Sequence, residues 1–150
     1  MNRETTKSES GTGRGFSEPV SLRLPSHPEY ILLARLVVAR VGQLAGFGPE
    51  DVYDLKLAVT EAATNVIRHA SVDSFEIEYL ARPGFVEITV VDEGGGFDVE
   101  DLTRSPDGEG GFGLAVIRGL VDEVILNSTP EGTRLKMIRR LQDEGEQSPS

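Results

Sequence analysis

The chain has 150 residues, 25 acidic and 15 basic, with a formal net charge of −10 and no cysteine. That length suits one domain with a buried core. The charge denies it the basic footprint that nucleic-acid backbones require, and the missing cysteines exclude disulfides and thiolate metal sites.

Hydrophobic residues make up 38% and charged residues 27%, the balance of a globular chain. Neither a long apolar run nor an apolar leader is present, so a soluble, cytoplasmic protein with no membrane or direct nucleic-acid partner is expected. Residues 1–16 are rich in Ser, Thr, Gly and charge and are expected to form a disordered lead; 142–150 read as a similar tail, and 17–141 as the folded domain.

Val20, Leu22 and Leu24 alternate with Ser21 and Arg23, which predicts a short half-buried strand ended by Pro25 and Pro28. Ile31, Leu32, Leu36, Val37, Val41 and Leu44 recur at helical spacing and predict a helix over 30–44, closed by Gly46 and Gly48. Its broad apolar coverage (Ile31, Leu33, Val37, Val38, Val41) suits either packing on a sheet or a partner or dimer surface. Pro49, Glu50 and Asp51 open a second helix, with acid where the helix dipole favours it. Leu55, Ala58, Ala62 and Val66 form its stripe, and it runs to about Ala70.

Phe75, Ile77 and Tyr79 predict a strand, Arg82-Pro83-Gly84 a turn, and Val86, Ile88 and Val90 a second strand paired antiparallel with the first. That strand stops at Asp92-Glu93-Gly94-Gly95-Gly96. Residues 98–111 read as a loop with a short helix near Glu100–Leu102. A helix is expected over Phe112–Val121, with Phe112, Ala115, Val116 and Leu120 on one face. Strands over 123–127 and 133–140, joined by Thr129-Pro130-Glu131-Gly132, complete the chain. Tight turns between neighbouring strands imply a mixed, mostly antiparallel sheet with the helices on one face, a two-layer α/β sandwich.

Three stretches carry chemistry. Glu61, Asn65 and His69 are spaced by four along one side of the second helix. An amide oxygen suits magnesium and a carboxylate one turn earlier suits a general base, although the same spacing also describes a solvated polar face. Asp92 ends an apolar strand, where a carboxylate can accept a hydrogen bond from an exocyclic amine and glycines let backbone approach a flat ligand; a plain strand-ending turn has the same composition. Gly108-Glu109-Gly110-Gly111-Phe112-Gly113-Leu114 opens a helix and can offer backbone N–H groups to phosphate, or can simply be a helix-start loop. The glycines also satisfy a dinucleotide fingerprint, but Thr103–Asp107 stands where that motif needs a strand.

The order of these signals, Glu-x-x-x-Asn, then Asp-x-Gly-x-Gly, then a glycine loop before a helix, then Gly132-Thr133, resembles the GHKL ATPase family with its Bergerat ATP-binding fold. Glu61-Ala-Ala-Thr-Asn65-Val-Ile-Arg-His69 is similar to the anti-sigma-factor serine/threonine kinases of the RsbW and SpoIIAB type. The resemblance implies ATP and Mg2+ as ligands, Asn65 on the magnesium, Glu61 as general base and Asp92 on the adenine amine. It implies that Gly94 and Gly96 shape the adenine pocket, with Thr133 at its end. Gly108, Gly110, Gly111 and Gly113, with Phe112 and Leu114, would form the lid and phosphate turn, and His69 would lie beside the nucleotide. It also implies a homodimer that sequesters a sigma factor and phosphorylates an anti-anti-sigma protein of the STAS fold. Glu109 stands where such lids carry arginine, so either Arg104 or Arg118 substitutes or transfer is slow or absent. The alternatives are a non-catalytic nucleotide-dependent switch and a detached histidine-kinase ATPase domain.

Overall fold

The computed structural model describes residues 18–94 and 113–141. Five strands, β1 (Val20–Pro25), β2 (Ser74–Arg82), β3 (Phe85–Asp92), β4 (Glu123–Thr129) and β5 (Gly132–Arg140), form one sheet in the order β1-β2-β3-β5-β4. Every pairing between them is antiparallel, in line with the mixed, mostly antiparallel sheet expected. Three α-helices, α1 (Ile31–Leu44), α2 (Pro49–His69) and α3 (Leu114–Arg118), and a 3-10 turn over Pro28–Tyr30 complete the described elements. The expected short helix near residues 100–102 lies outside the described residues, as do the loop over 98–111 and both terminal segments.

Alternation decides which side of the sheet is buried. Phe75, Ile77, Tyr79 and Ala81 of β2, and Val86, Ile88 and Val90 of β3, are buried beneath the helices. Full burial of each large side chain contributes roughly 1.5–3 kcal/mol. The opposite face is solvated and carries ion pairs: Arg134 to Glu78 at 3.4 Å, Lys136 to Glu87 at 3.6 Å and Arg140 to Glu123 at 3.0 Å. Exposed pairs of this kind add about 1 kcal/mol or less each. Pro83 and Gly84 make the two-residue turn between β2 and β3, where Gly84 supplies a φ of 72°.

Pro49 stands in the first turn of α2 with Glu50 and Asp51, and Arg68 and His69 occupy its last turn, so both ends complement the dipole. Its expected stripe is buried, and Val52, Val59, Ala63 and Asn65 widen it. The first helix departs from expectation. Its buried residues are Ala34, Val38, Val41 and Gly42, whereas Leu32, Leu33 and Leu36 are exposed. The cause is close approach: a Cβ on Gly42 would lie 3.1 Å from Val52 and 3.3 Å from Leu55, so small residues face α2 and the leucines turn outward. The buried Tyr79 hydroxyl ties the same helix down by donating to the Ala34 carbonyl at 3.2 Å.

The helix expected over 112–121 is shorter, and a different face is buried. Leu114 and Ile117 point inward while Ala115 and Val116 are exposed. Gly119 caps α3 after five residues. Its far end is held by Arg139, which lies on the inner side of β5 with Leu135 and Met137. The guanidinium donates to the Leu120 carbonyl and reaches Asp51 at 2.5 Å and Asp54 at 3.2 Å on α2. One partly buried cation thus joins β5, α2 and the end of α3.

Replacing Arg139 by Met leaves two acids facing each other without their cation. We expect a loss of about 2 kcal/mol, intermediate between exposed and buried pairs. In a thermal melt this corresponds to a fall of about 4–8 °C; an unchanged midpoint would contradict the role given to this guanidinium.

Candidate functional site

The carboxyl end of β3 and the middle of α2 enclose one cleft. Asp92 is the last residue of β3 and lies opposite Thr133 in the register with β5. The side chain is buried. Its Oδ1 accepts the Gly94 backbone N–H at 3.0 Å, while Oδ2 is buried and has no partner among the described residues. Burial pushes the carboxyl above its usual range, against the smaller lowering by backbone N–H groups at Gly94 and Thr133. A buried acceptor without a donor costs about 1–3 kcal/mol, more if charged. A ligand that brings an N–H to this oxygen recovers that cost.

Above Asp92, Ala62, Val66, Val90, Leu114, Leu126 and Leu135 form apolar walls, and Asn65 and Thr133 add polar groups, around a partly open cleft. Such a mixture, apolar with a few convergent polar atoms, is that of a small-molecule site. Thr133 is buried and its hydroxyl lies 3.2 Å from that of Ser128. Asn65 is also buried, on the inner side of α2, so its amide faces the cleft wall rather than solvent.

The expected site residues divide as follows. Asn65, Asp92, Leu114 and Thr133 line the cleft together. Glu61 is one turn before Asn65, partly buried, and packs against Gly113. His69 is exposed in the last turn of α2 and does not line the cleft, although it has an interaction of its own. Gly96, Gly108, Gly110, Gly111 and Phe112 lie outside the described residues, as does Glu109.

Two glycines are fixed by contact rather than by flexibility. A Cβ on Gly94 would lie 2.5 Å from Val72 Cγ1 and 2.7 Å from the Ala70 carbonyl, so this glycine lets the exit of β3 pack on the exit of α2. A Cβ on Gly132, whose φ is 150°, would collide with the Asp92 carbonyl and lie 2.9 Å from Glu93 Cα. Gly132 therefore supports the backbone that aims Asp92. Sequence reasoning placed Gly132 beside Thr133 but gave it no such part, and it missed the apolar walls from β3, β4 and β5. Alternation of apolar residues along those strands was the available signal.

The residues fit an adenine nucleotide. The unpaired Asp92 Oδ2 suits an exocyclic amine and the apolar walls suit a flat ring. Asn65 suits a magnesium that draws its remaining ligands from phosphate and water. Among the described residues no cluster of three or more His, Cys, Asp or Glu side chains is placed to hold a metal ion by itself.

Fold and cleft together define a class: an α/β sandwich with a nucleotide-type cleft between its antiparallel sheet and the long second helix. Residues 24–139 match the histidine kinase-like ATPase domain family, and the chain belongs to it. Curated relatives include a serine-protein kinase RsbW from Listeria monocytogenes serotype 4a, 36% identical over 142 residues that cover 85% of this chain and 90% of the relative. The serine-protein kinase RsbW of Oceanobacillus iheyensis is 33% identical over 140 residues, 83% of this chain and 88% of the relative. Among solved structures, the RsbU and RsbW domains of Rv1364c from Mycobacterium tuberculosis share the fold. The TM-score is 0.63 at 22% identity over 83% of this chain, which spans 32% of that longer chain. The histidine kinase domain of the blue-light activated kinase EL346 from Erythrobacter litoralis shares it too. There the TM-score is 0.55 at 18% identity, covering 79% of this chain and 62% of the other.

The pH dependence of stability follows from Asp92. Its folded carboxyl holds a proton more tightly than the unfolded one, whose ordinary value is 3.8. Its contribution to stability is full below that value and is lost as pH rises through the higher folded value. Nucleotide-free Asp92→Asn should therefore melt at or above the wild-type temperature near about pH 7, and the wild-type deficit should shrink toward about pH 4. A clearly lower melting temperature for the Asn variant at the higher pH would contradict this.

Proposed function

We propose that this chain is an ATP-dependent protein serine/threonine kinase and anti-sigma factor, working with magnesium in the cytoplasm as a homodimer. In this reading it holds an RNA polymerase sigma factor and phosphorylates a STAS-type anti-anti-sigma protein. The observation that carries the nucleotide part is the buried Asp92 Oδ2, without a partner among the described residues, at the base of an apolar cleft with Asn65 in its wall. The kinase part is supported by 33–36% identity to serine-protein kinases over most of the chain.

ATP supplies the γ-phosphoryl group, and magnesium supplies positive charge to its phosphates. Asp92 accepts the adenine amine and fixes the base. Asn65 offers its amide oxygen to the metal. Glu61, one helical turn away and toward α3, takes the proton from the attacking Ser or Thr hydroxyl as that oxygen bonds to the γ-phosphorus. The bond from the γ-phosphorus to the bridging oxygen breaks, and ADP leaves. Such transfer is accelerated mainly by positioning and charge. No helix of the described residues is long and apolar enough to cross a membrane, which accords with action on soluble partners.

The test is transfer of labelled phosphate from ATP to a candidate STAS protein. Glu61→Gln should lower turnover by about 10²–10⁴-fold, the usual contribution of a general base, and leave Mg·ADP affinity within about threefold. The label should be acid-stable. Acid-labile label would indicate histidine phosphorylation. Tight nucleotide binding without transfer to any such partner would indicate a nucleotide-dependent switch instead.

A further inference from the structure

Gly113 precedes α3 in the left-handed region, with φ 70° and ψ 6°. The space where its side chain would begin is filled by Glu61. A Cβ there would collide with Glu61 Oε1 and lie 3.2 Å from its Cδ and 3.3 Å from its Cβ. All three nearest atoms thus belong to one side chain, the acid read above as the base.

Neither backbone can retreat from this contact. On one side, α2 is set by its buried stripe, with Ala58 and Ala62 below Glu61. On the other, α3 is anchored by Leu114 and Ile117, both buried, and its exit is held by the hydrogen bond from Arg139 to the Leu120 carbonyl. The gap between position 61 and position 113 is therefore fixed in width, and a glutamate side chain fills it. A free glutamate samples several rotamers, and selecting one of them has an entropic cost. The backbone of residue 113 removes some of that choice in advance.

We propose that Gly113 is a positioning residue for Glu61, whose carboxylate keeps its place because residue 113 has no side chain. This role differs from a glycine that merely lets backbone approach a phosphate. Its catalytic consequence rests on the kinase reading; its steric basis does not. Any β-carbon at 113 drives the carboxylate into another rotamer, and a displacement of about 1 Å at a reacting group costs on the order of 10²-fold in rate.

Two substitutions separate the side chain from the backbone. Alanine is strained at this φ, whereas asparagine tolerates the left-handed region yet still carries a Cβ. Gly113→Ala and Gly113→Asn should both lower turnover by about 10²-fold, with Mg·ADP affinity within about threefold of wild type. A Gly113→Asn enzyme with wild-type turnover would overturn the proposal, as would lost nucleotide affinity with turnover intact. A second measurement needs no kinase activity: thermal melts of the nucleotide-free full chain in a double-mutant cycle. Gly113→Asn should lower the melting temperature by about 4 °C more in wild type than in a Glu61→Ala background, where the obstruction is gone. Equal losses in the two backgrounds would overturn the proposal even if no phosphoryl transfer is ever seen.

Discussion

The cleft depends on the pairing of Asp92 with Thr133 at the ends of β3 and β5. This register places a carboxylate at the base of an apolar chamber and leaves one of its oxygens without a donor among the described residues. The pairing is possible only because Gly132 lacks a side chain where the Asp92 backbone passes. Such an arrangement stores an unfavourable interaction in the empty protein, which a ligand amine can relieve. Stability is given up at the place where binding needs a sharp preference.

The rest of the fold holds α2 and α3 over that base. Small residues on α1 let it approach α2 closely, and the buried Tyr79 hydroxyl fixes α1 to the sheet. With α2 so placed, Asn65 is in the cleft wall and Glu61 is at the contact with Gly113. The remaining element, α3, is too short to be stable alone. It is held by two buried side chains and by Arg139, which joins its exit to the first turns of α2. The site is therefore a product of packing between elements far apart in sequence, and no single motif builds it.

Much of this was legible in the sequence. Strand alternation and helical stripes gave the two-layer sandwich, and the strand ending in Asp92 before glycines gave the base of the cleft. The spacing of Asn65 after Glu61 placed the amide on the helix that faces it. Errors arose where chain-local pattern is blind to depth. On α1 the large leucines looked like the core face, but the close helix–helix approach selects Ala34, Val38, Val41 and Gly42. On α3 the stripe was phased from Phe112, whereas the buried residues are Leu114 and Ile117. The unpaired Oδ2 of Asp92 and the Glu61–Gly113 contact are three-dimensional facts that no spacing encodes. Arg139 was more accessible: alternation along β5 puts it on the side of Leu135 and Met137, where it needs acidic partners, and α2 begins with them.

The most direct measurement is calorimetric titration of the wild-type chain with Mg·ATP and with the triphosphate of a purine riboside that lacks the 6-amino group. If Asp92 Oδ2 receives that amine, deleting it leaves the buried acceptor unpaired and weakens binding by about 10–100-fold. Equal affinity for the two nucleotides would contradict the account, because the buried carboxylate would then not be reading the base.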